Sequence, residues 1–290
     1  LGAEKVSLVG ISTGSEIGLE YVRRHGDRVA HAVLAGVQGP DQLVDLPSEQ
    51  EAVLGELTAV LRARQPQAPD VAATVGAVVR ALAAHPAEVR VRDRRSGDSV
   101  TVRLGALDAQ LLASATLGDR RQMALLPVLY GRAAAGDYAP LAAMKLEAAR
   151  AGINSPFEAL QDCQTGVAAA RLRAREREAR TALLGWGTLD FPEHCAGWGV
   201  PRLDASWRAP VRSPASVLLV SGTLDGRTSV RNAEQVLRGL PNGAHLVIGG
   251  ASHGDDLFLS SPRIIPTILA FLRGERPAVT RLEAEPLPQR

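Results

Sequence analysis

The chain has few aromatic residues, 3% of its 290, and only two cysteines and two methionines. The aromatic shortage, beside abundant Ala, Leu, Val and Arg, reads as compositional bias with little functional content. An excess of charge of one sign is missing too: 33 basic residues stand against 31 acidic ones, interspersed, for a formal net charge of +2. That excludes an electrostatic footprint for nucleic acid or anionic lipid. Long apolar runs are absent, since the stretches around Val217–Val220 and Ile264–Leu272 are too short or too interrupted to span a bilayer. There is no Walker-type loop and no dinucleotide fingerprint, so no cofactor is implied. His194 beside Cys195 has no further ligand pair at zinc spacing, so no metal is implied either. No internal repeat is visible. The chain opens at Leu1 and enters a strand pattern within a few residues, which leaves no room for a signal peptide and predicts that sequence upstream is missing.

What is present is enough for a full globular core. Hydrophobic residues make up 46% of the chain and the mean hydropathy is near zero, which predicts a soluble protein of one large domain or two.

One stretch carries chemistry. Lys5 to Val9 reads as a buried parallel strand, Gly10-Ile11-Ser12-Thr13-Gly14 follows, and Ser15 to Arg24 has helical spacing of Ile17, Tyr21 and Val22. Gly-x-Ser-x-Gly between a strand and a helix is the context in which a serine is held out of the backbone at a sharp turn. Gly10 and Gly14 are expected to lack Cβ atoms that would collide there, with Ser12 at the strained apex.

Downstream, Asp27 to Gly36 reads as a second parallel strand, and the two strands with their helix form a βαβ unit. Helical patterns follow at Ser48–Arg62 and Pro69–Ala84. Glu88–Arg92 and Ser99–Arg103 alternate apolar and polar residues around an Arg94-Arg95-Ser96-Gly97-Asp98 turn, which predicts a β-hairpin. Leu107 to Arg180 is helical again, with breaks at Gly118-Asp119, Gly136-Asp137 and Asn154-Ser155-Pro156. Its densest charge run, Arg171 to Arg180, reads as a solvated helix face. Pro201 to Pro214 is a crossing without periodicity. The sheet resumes with strands at Ala215–Ser221 and Ala244–Ile248, a helix over Val230–Leu240 between them and a closing helix at Pro262–Leu272. The tail from Glu275 is expected to be poorly ordered.

Ser12, Asp225 and His253 each fall just past the carboxyl end of a predicted strand, where open parallel sheets gather their ligands. Their chain order, Ser then Asp then His, is that of the α/β-hydrolases. In such a set His253 takes the Ser12 proton, Asp225 fixes the imidazole tautomer, and the Thr13 N–H is one oxyanion donor. The other histidines, His25, His31, His85, His194 and His245, fit the strand ends less well. Asp255 and Asp256 read as caps of the segment after His253.

The chain resembles the α/β-hydrolase peptidases of the prolyl iminopeptidase and tripeptidyl aminopeptidase group. Four stretches carry the resemblance: Gly10 to Gly14; Leu34-Ala35-Gly36-Val37-Gln38-Gly39-Pro40; Ser221-Gly222-Thr223-Leu224-Asp225-Gly226-Arg227-Thr228; and Gly250-Ala251-Ser252-His253-Gly254. The hairpin and the Gly136-Asp137-Tyr138 region look like the lid of that family. Members often have an aromatic residue where Thr13 stands and proline where Ser229 stands. They also carry earlier strands and a His-Gly-Gly-type loop with a second oxyanion N–H, and no such loop occurs here.

The resemblance implies an α/β-hydrolase parallel sheet, short of its N-terminal strands and interrupted by a mostly helical lid with a β-hairpin. The expected division is 1–40 for the first part of the core, 41–212 for the lid, and 213–290 for the second part of the core with a flexible tail. It implies an exopeptidase acting on the free N-terminus of peptides, with an acidic lid residue to hold the substrate ammonium; Asp137, Glu147, Glu158 and Asp162 are unranked candidates. The residues themselves say only acyl transfer, so an esterase or other small-molecule hydrolase, or a binding protein that has lost the chemistry, stays open. The expected partner is a peptide or a small ester or amide, with no nucleic acid and no membrane insertion; the oligomeric state is left open. Cys163 and Cys195 lie in the presumed lid, where secreted relatives have cysteines in similar contexts. A disulfide there would contribute roughly 3 kcal/mol and favour an exported location, whereas two free thiols would favour the cytoplasm. With only later strands beside it, Lys5–Val9 is expected at an open sheet edge. The chain alone should then be poorly soluble and weakly active until an upstream segment is supplied.

Overall fold

The structure, a computed structural model, describes residues 2–151, 156–186, 195, 197 and 199–286. β1 (Val6–Ile11) turns through Ser12 into α1 (Thr13–His25), and β2 (Val29–Ala35) follows a short 3-10 turn. The chain then leaves the sheet through α2 (Pro47–Arg62), α3 (Val71–Ala84), the hairpin β3 (Ala87–Arg92) and β4 (Ser99–Leu104), α4 (Ala106–Thr116), α5 (Arg120–Met123), α6 (Leu126–Ala134), α7 (Ala139–Ala151), α8 (Pro156–Thr165) and α9 (Ala169–Ala179). A crossing with a 3-10 turn at Ala205–Arg208 brings it back to β5 (Val217–Gly222). After that come α10 (Val230–Leu237), β6 (Gly243–Gly249), α11 (Asp256–Leu259), α12 (Ile264–Leu272) and β7 (Arg281–Glu283).

The main sheet has the order β1-β2-β5-β6-β7 and every pairing is parallel. β5 lies at its centre with all six residues buried, which is why it reads as an unbroken apolar run. Leu19, Val22, Leu34, Val217, Leu219, Ala233 and Val236 pack on one face, and Val33, Leu218, Val220, Leu246, Ile248, Ile268 and Phe271 on the other. A separate core, with Leu54, Val75, Leu104, Leu112, Met123, Tyr130 and Leu141, holds the insertion between β2 and β5. A parallel sheet wound with helices on both faces, a strand-turn-helix elbow after its first strand and a long excursion before the strand that leads to Asp225 make an α/β-hydrolase fold.

Among the described residues β1 pairs with β2 alone, and none of them pairs with its other edge. Val9 is 63% exposed, and Val6, Ile11 and Ile17 are exposed beside it.

The tail is not the loose segment that its Pro, Glu and Arg content predicted. Arg281 to Glu283 add a fifth strand to β6, Leu282 is buried in the sheet core, and Ala284 N–H donates to Gly249 O. Alternation over three residues is too short to read in sequence, but it suffices once backbone partners on β6 are waiting. Residues 287–290 lie outside the described ones.

The charge run of α9 is likewise not a uniform solvated face. Arg175 is buried and donates to Trp186 O, with its guanidinium over the indole ring, while Arg171 pairs with Glu49 and donates to Val44 O. The predicted hairpin forms with Val91, Val102 and Leu104 inward and its arginines outward. The long helical stretch has breaks at 124–125 and 166–168 in addition to those the sequence marks.

Candidate active site

The turn between β1 and α1 needs a residue in a backbone conformation that L-amino acids avoid. Ser12 has φ 54° and ψ −123°, and it is the one non-glycine with positive φ among the described residues. Its N–H donates to Ala35 O across to β2, and its carbonyl receives both the N–H and the hydroxyl of Ser15. These bonds over-determine the strained residue and hold it in place. Gly10 is required where strand and helix approach, because a Cβ there would lie 2.3 Å from Gly14 O. Gly14 is different from expectation: a Cβ on it would meet nothing within 4 Å, since the first turn of α1 points it away from the chain.

Asp225 follows β5 and His253 follows β6, so both sit beyond strand carboxyl ends on the same side of the sheet as Ser12. His253 Nδ1 lies 2.8 Å from Asp225 Oδ2. The Asp225 side chain is fully buried and saturated: Oδ1 accepts the N–H groups of Arg227 and Thr228, and Oδ2 accepts the Thr228 hydroxyl at 2.6 Å. A carboxylate pinned on both oxygens fixes the imidazole, with the proton on Nδ1 and the lone pair of Nε2 directed away from it.

The His253 ring packs on Gly36, the first residue after β2, where a Cβ would come within 2.8 Å of Cε1. Ser12, through its N–H, and His253, through its ring, thus each contact one residue of the Ala35-Gly36 corner. No hydrogen bond joins the Ser12 hydroxyl to the ring, and such bonds often tighten only when substrate is bound. The Thr13 N–H opens α1 and has no carbonyl one turn back to bond, which leaves it available to an anion.

Asp256 does not cap α11. Its carboxylate accepts the Ser252 N–H and hydroxyl and pairs with Arg120, whose own N–H donates to the Ser252 hydroxyl. The residue preceding His253 is therefore tied to α5 in the insertion. His245 lies inside β6 against Ser221, and burial pushes its imidazole below the usual histidine range. Cys163 and Cys195 form a disulfide with Cα atoms 5.3 Å apart. No group of three or more metal-ligating side chains occurs among the described residues, and no helix there is long and apolar enough to cross a membrane.

Of the four acidic candidates, Asp137 is half-buried and paired with Arg132, Glu147 is half-buried beside Arg150, and Asp162 is half-buried near Glu16. The side chain of Glu158, like His194, lies outside the described residues. Two carboxyls went unnoticed in the sequence. Asp45 is half-buried, makes no hydrogen bond or ion pair, and is pushed well above the ordinary carboxylate range by burial and by the charges of Glu49 and Asp225, against Arg171 and Arg175. Glu16 is 3% exposed on α1. Nothing in sequence marks either one, since an acid before a helix or in its first turn ordinarily serves the helix end.

The sequence profile of the family described as TAP-like protein matches residues 183–281, which carry β5, the Asp225 turn, β6 and His253. No curated protein matches the chain. Among solved structures it is similar to an α/β hydrolase from a Medee basin deep-sea metagenome library, with 12% identity over 95% of this chain and 67% of that one and a TM-score of 0.32. It is also similar to an acetylester hydrolase from Corynebacterium glutamicum (17%, 94% and 62%, TM-score 0.33) and to the proline iminopeptidase of Mycobacterium smegmatis (15%, 93% and 66%, TM-score 0.35). At these scores the fold rests on strand order and elbow. The chain spans about two thirds of the length of these structures.

Proposed function

We propose that this chain is a serine hydrolase in which Ser12 is the nucleophile, His253 the base and Asp225 the residue that orients it, and that its substrates are peptides with a free N-terminus. The observation that carries the hydrolase reading is the 2.8 Å contact of His253 Nδ1 with a buried, fully bonded Asp225, at the sheet corner that also receives Ser12. In the reaction His253 Nε2 removes the Ser12 proton as Oγ attacks the acyl carbon, and returns it to the leaving amine or alcohol. The Thr13 N–H donates to the oxyanion, and water then repeats the sequence on the acyl-enzyme.

The exopeptidase reading follows the resemblance of the four motif stretches, and the TAP-like match over 183–281 supports it. The residues between β2 and β5 would then serve as the lid. Asp45 is the carboxyl best suited to the substrate ammonium: it has no hydrogen-bond or ion-pair partner among the described residues and lies within electrostatic reach of Asp225. A cation brought beside it would offset the burial that disfavours its charged form and pair with that form.

Fluorophosphonate labelling of Ser12, together with parallel assays on aminoacyl-arylamides and short acyl esters, tests this function. Turnover of arylamides is the expected result. Ester turnover alone would remove the peptidase reading, and absence of both labelling and turnover would leave a binding protein. For Asp45→Asn the expected outcome is a KM raised roughly 10- to 100-fold for substrates with a free amine, the worth of one charged hydrogen bond, with kcat little changed. Equal KM values in steady-state assays of the two proteins would reassign the ammonium site.

A further inference from the structure

A buried hydrogen-bonded chain runs from the crossing to the nucleophile elbow. Trp207, in the 3-10 turn Ala205–Arg208, donates its indole N–H to Glu16 Oε1 at 3.1 Å, and Gln38 Nε2 donates to Glu16 Oε2 at 3.2 Å. The Gln38 main-chain N–H donates to Ser15 Oγ at 2.9 Å, and that hydroxyl donates to the carbonyls of Ser12 and Gly36, the residues on which the proposed nucleophile and base rest. We propose that Glu16 is a positioning residue, fastening the crossing and the loop after β2 to the elbow, with its ionisation setting how firmly they hold. This rests on the reading of Ser12 as nucleophile only for its effect on turnover.

A carboxylate accepts both N–H groups in charge-assisted bonds. Once protonated, both bonds lose their charge, and the added hydrogen finds an acceptor only if the Gln38 amide turns its oxygen toward it. Burial raises the Glu16 carboxyl from 4.5 to about 7; the Trp207 bond opposes the rise and the charges of Asp162 on α8 and Glu20 on α1 add to it. The other charged groups nearby are engaged: Arg23 and Arg24 bind Glu20, Arg23 also donates to Ser206 O, and Asp204 accepts from Ser206. The two bonds to Glu16 therefore become charge-assisted as pH rises through about 7, while burial opposes the ionisation. Ionisation also costs the fold. The unfolded carboxyl titrates near 4.5 and the folded one near 7, so stability falls as pH rises through that window.

Glu16→Gln separates bonding from charge: its oxygen can accept from Trp207 and its NH2 can donate to a turned Gln38 amide, without titrating. The test is tryptophan fluorescence against pH, taken as the difference from Trp207→Phe. A transition with midpoint near 7 is expected in the wild type, unchanged in His253→Ala and absent in Glu16→Gln. Glu16→Leu, which removes both bonds, should lower kcat about tenfold or more with KM within about twofold, while Glu16→Gln keeps its rate at alkaline pH. A transition that persists in Glu16→Gln, or a Glu16→Leu protein with full kcat, would overturn the proposal. If Glu16→Leu does not fold, the fluorescence comparison decides alone. That comparison needs no substrate, so a protein in which Ser12 reacts with nothing would sink the hydrolase reading and leave the clasp measurable.

Discussion

On the proposed function, Ser12→Ala and His253→Ala are each expected to lower turnover by roughly 10⁴- to 10⁶-fold, because nucleophile and base act as one unit in the transition state and removing either removes the pathway. What remains comes from binding and the oxyanion donors. Neither side chain supports the core: Ser12 is held through its main chain, and the His253 side chain is 13% exposed on the Gly36 corner. Melting curves should therefore move little. Asp225→Asn does somewhat less harm to turnover, since His253 and the donors remain, but its amide offers an N–H where Arg227, Thr228 and His253 all present donors. Initial rates with an aminoacyl-arylamide and active-site labelling read these effects together. A Ser12→Ala protein that keeps measurable turnover would remove Ser12 as nucleophile, and an Asp225→Asn protein near the wild-type rate would require another acid.

Gly10→Ala is expected to have the next largest effect, through backbone alone. Its Cβ would lie 2.3 Å from Gly14 O and 2.7 Å from Gly14 C, and neither atom can yield without moving the first turn of α1. Overpacking of this kind costs about 1–3 kcal/mol, and more where backbone must shift. The displaced turn carries Ser12 with it, and a misplacement of about 1 Å can cost roughly 10²-fold in rate. Denaturant midpoint and kcat should fall together. Gly14→Ala is the control, since its Cβ meets nothing within 4 Å. If Gly10→Ala matched it in both measurements, the close approach at the elbow would not be what fixes Ser12.

The elbow was legible because its chemistry is local: two glycines, one serine and a change of hydrophobic period are all in a dozen residues. The strands before Asp225 and His253 were legible for the same reason, each being a short apolar run that ends a few residues before the candidate residue. What the sequence hid is set by partners far along the chain. Thr228 shares Asp225 with His253, Asp256 joins the histidine loop to Arg120, and Glu16 meets Trp207 across 191 positions. β7 belongs to the same class, since Leu282 is apolar at one position of three and only β6 makes it a strand. Arg175 reads as surface by residue type, and it turns inward against Trp186, which no local pattern announces.

Ser12 bears two demands that pull apart. Its positive φ belongs to the region glycine enters freely, and a residue with a side chain held in such a region costs about 1–3 kcal/mol. On the proposed function, the atom that does the chemistry is also the reason the backbone is expensive there, so heat resistance and turnover are in conflict at one position. A library of this chain screened for thermal survival alone should collect glycine at 12, and melting of Ser12→Gly above Ser12→Ala would show the conflict directly. Selection for turnover alone keeps the serine. The marginal stability of the rest of the chain is then the reserve from which the elbow is maintained, and gains in packing far from the sheet, around Leu54 or Tyr130, would widen the range of temperature over which Ser12 can be kept.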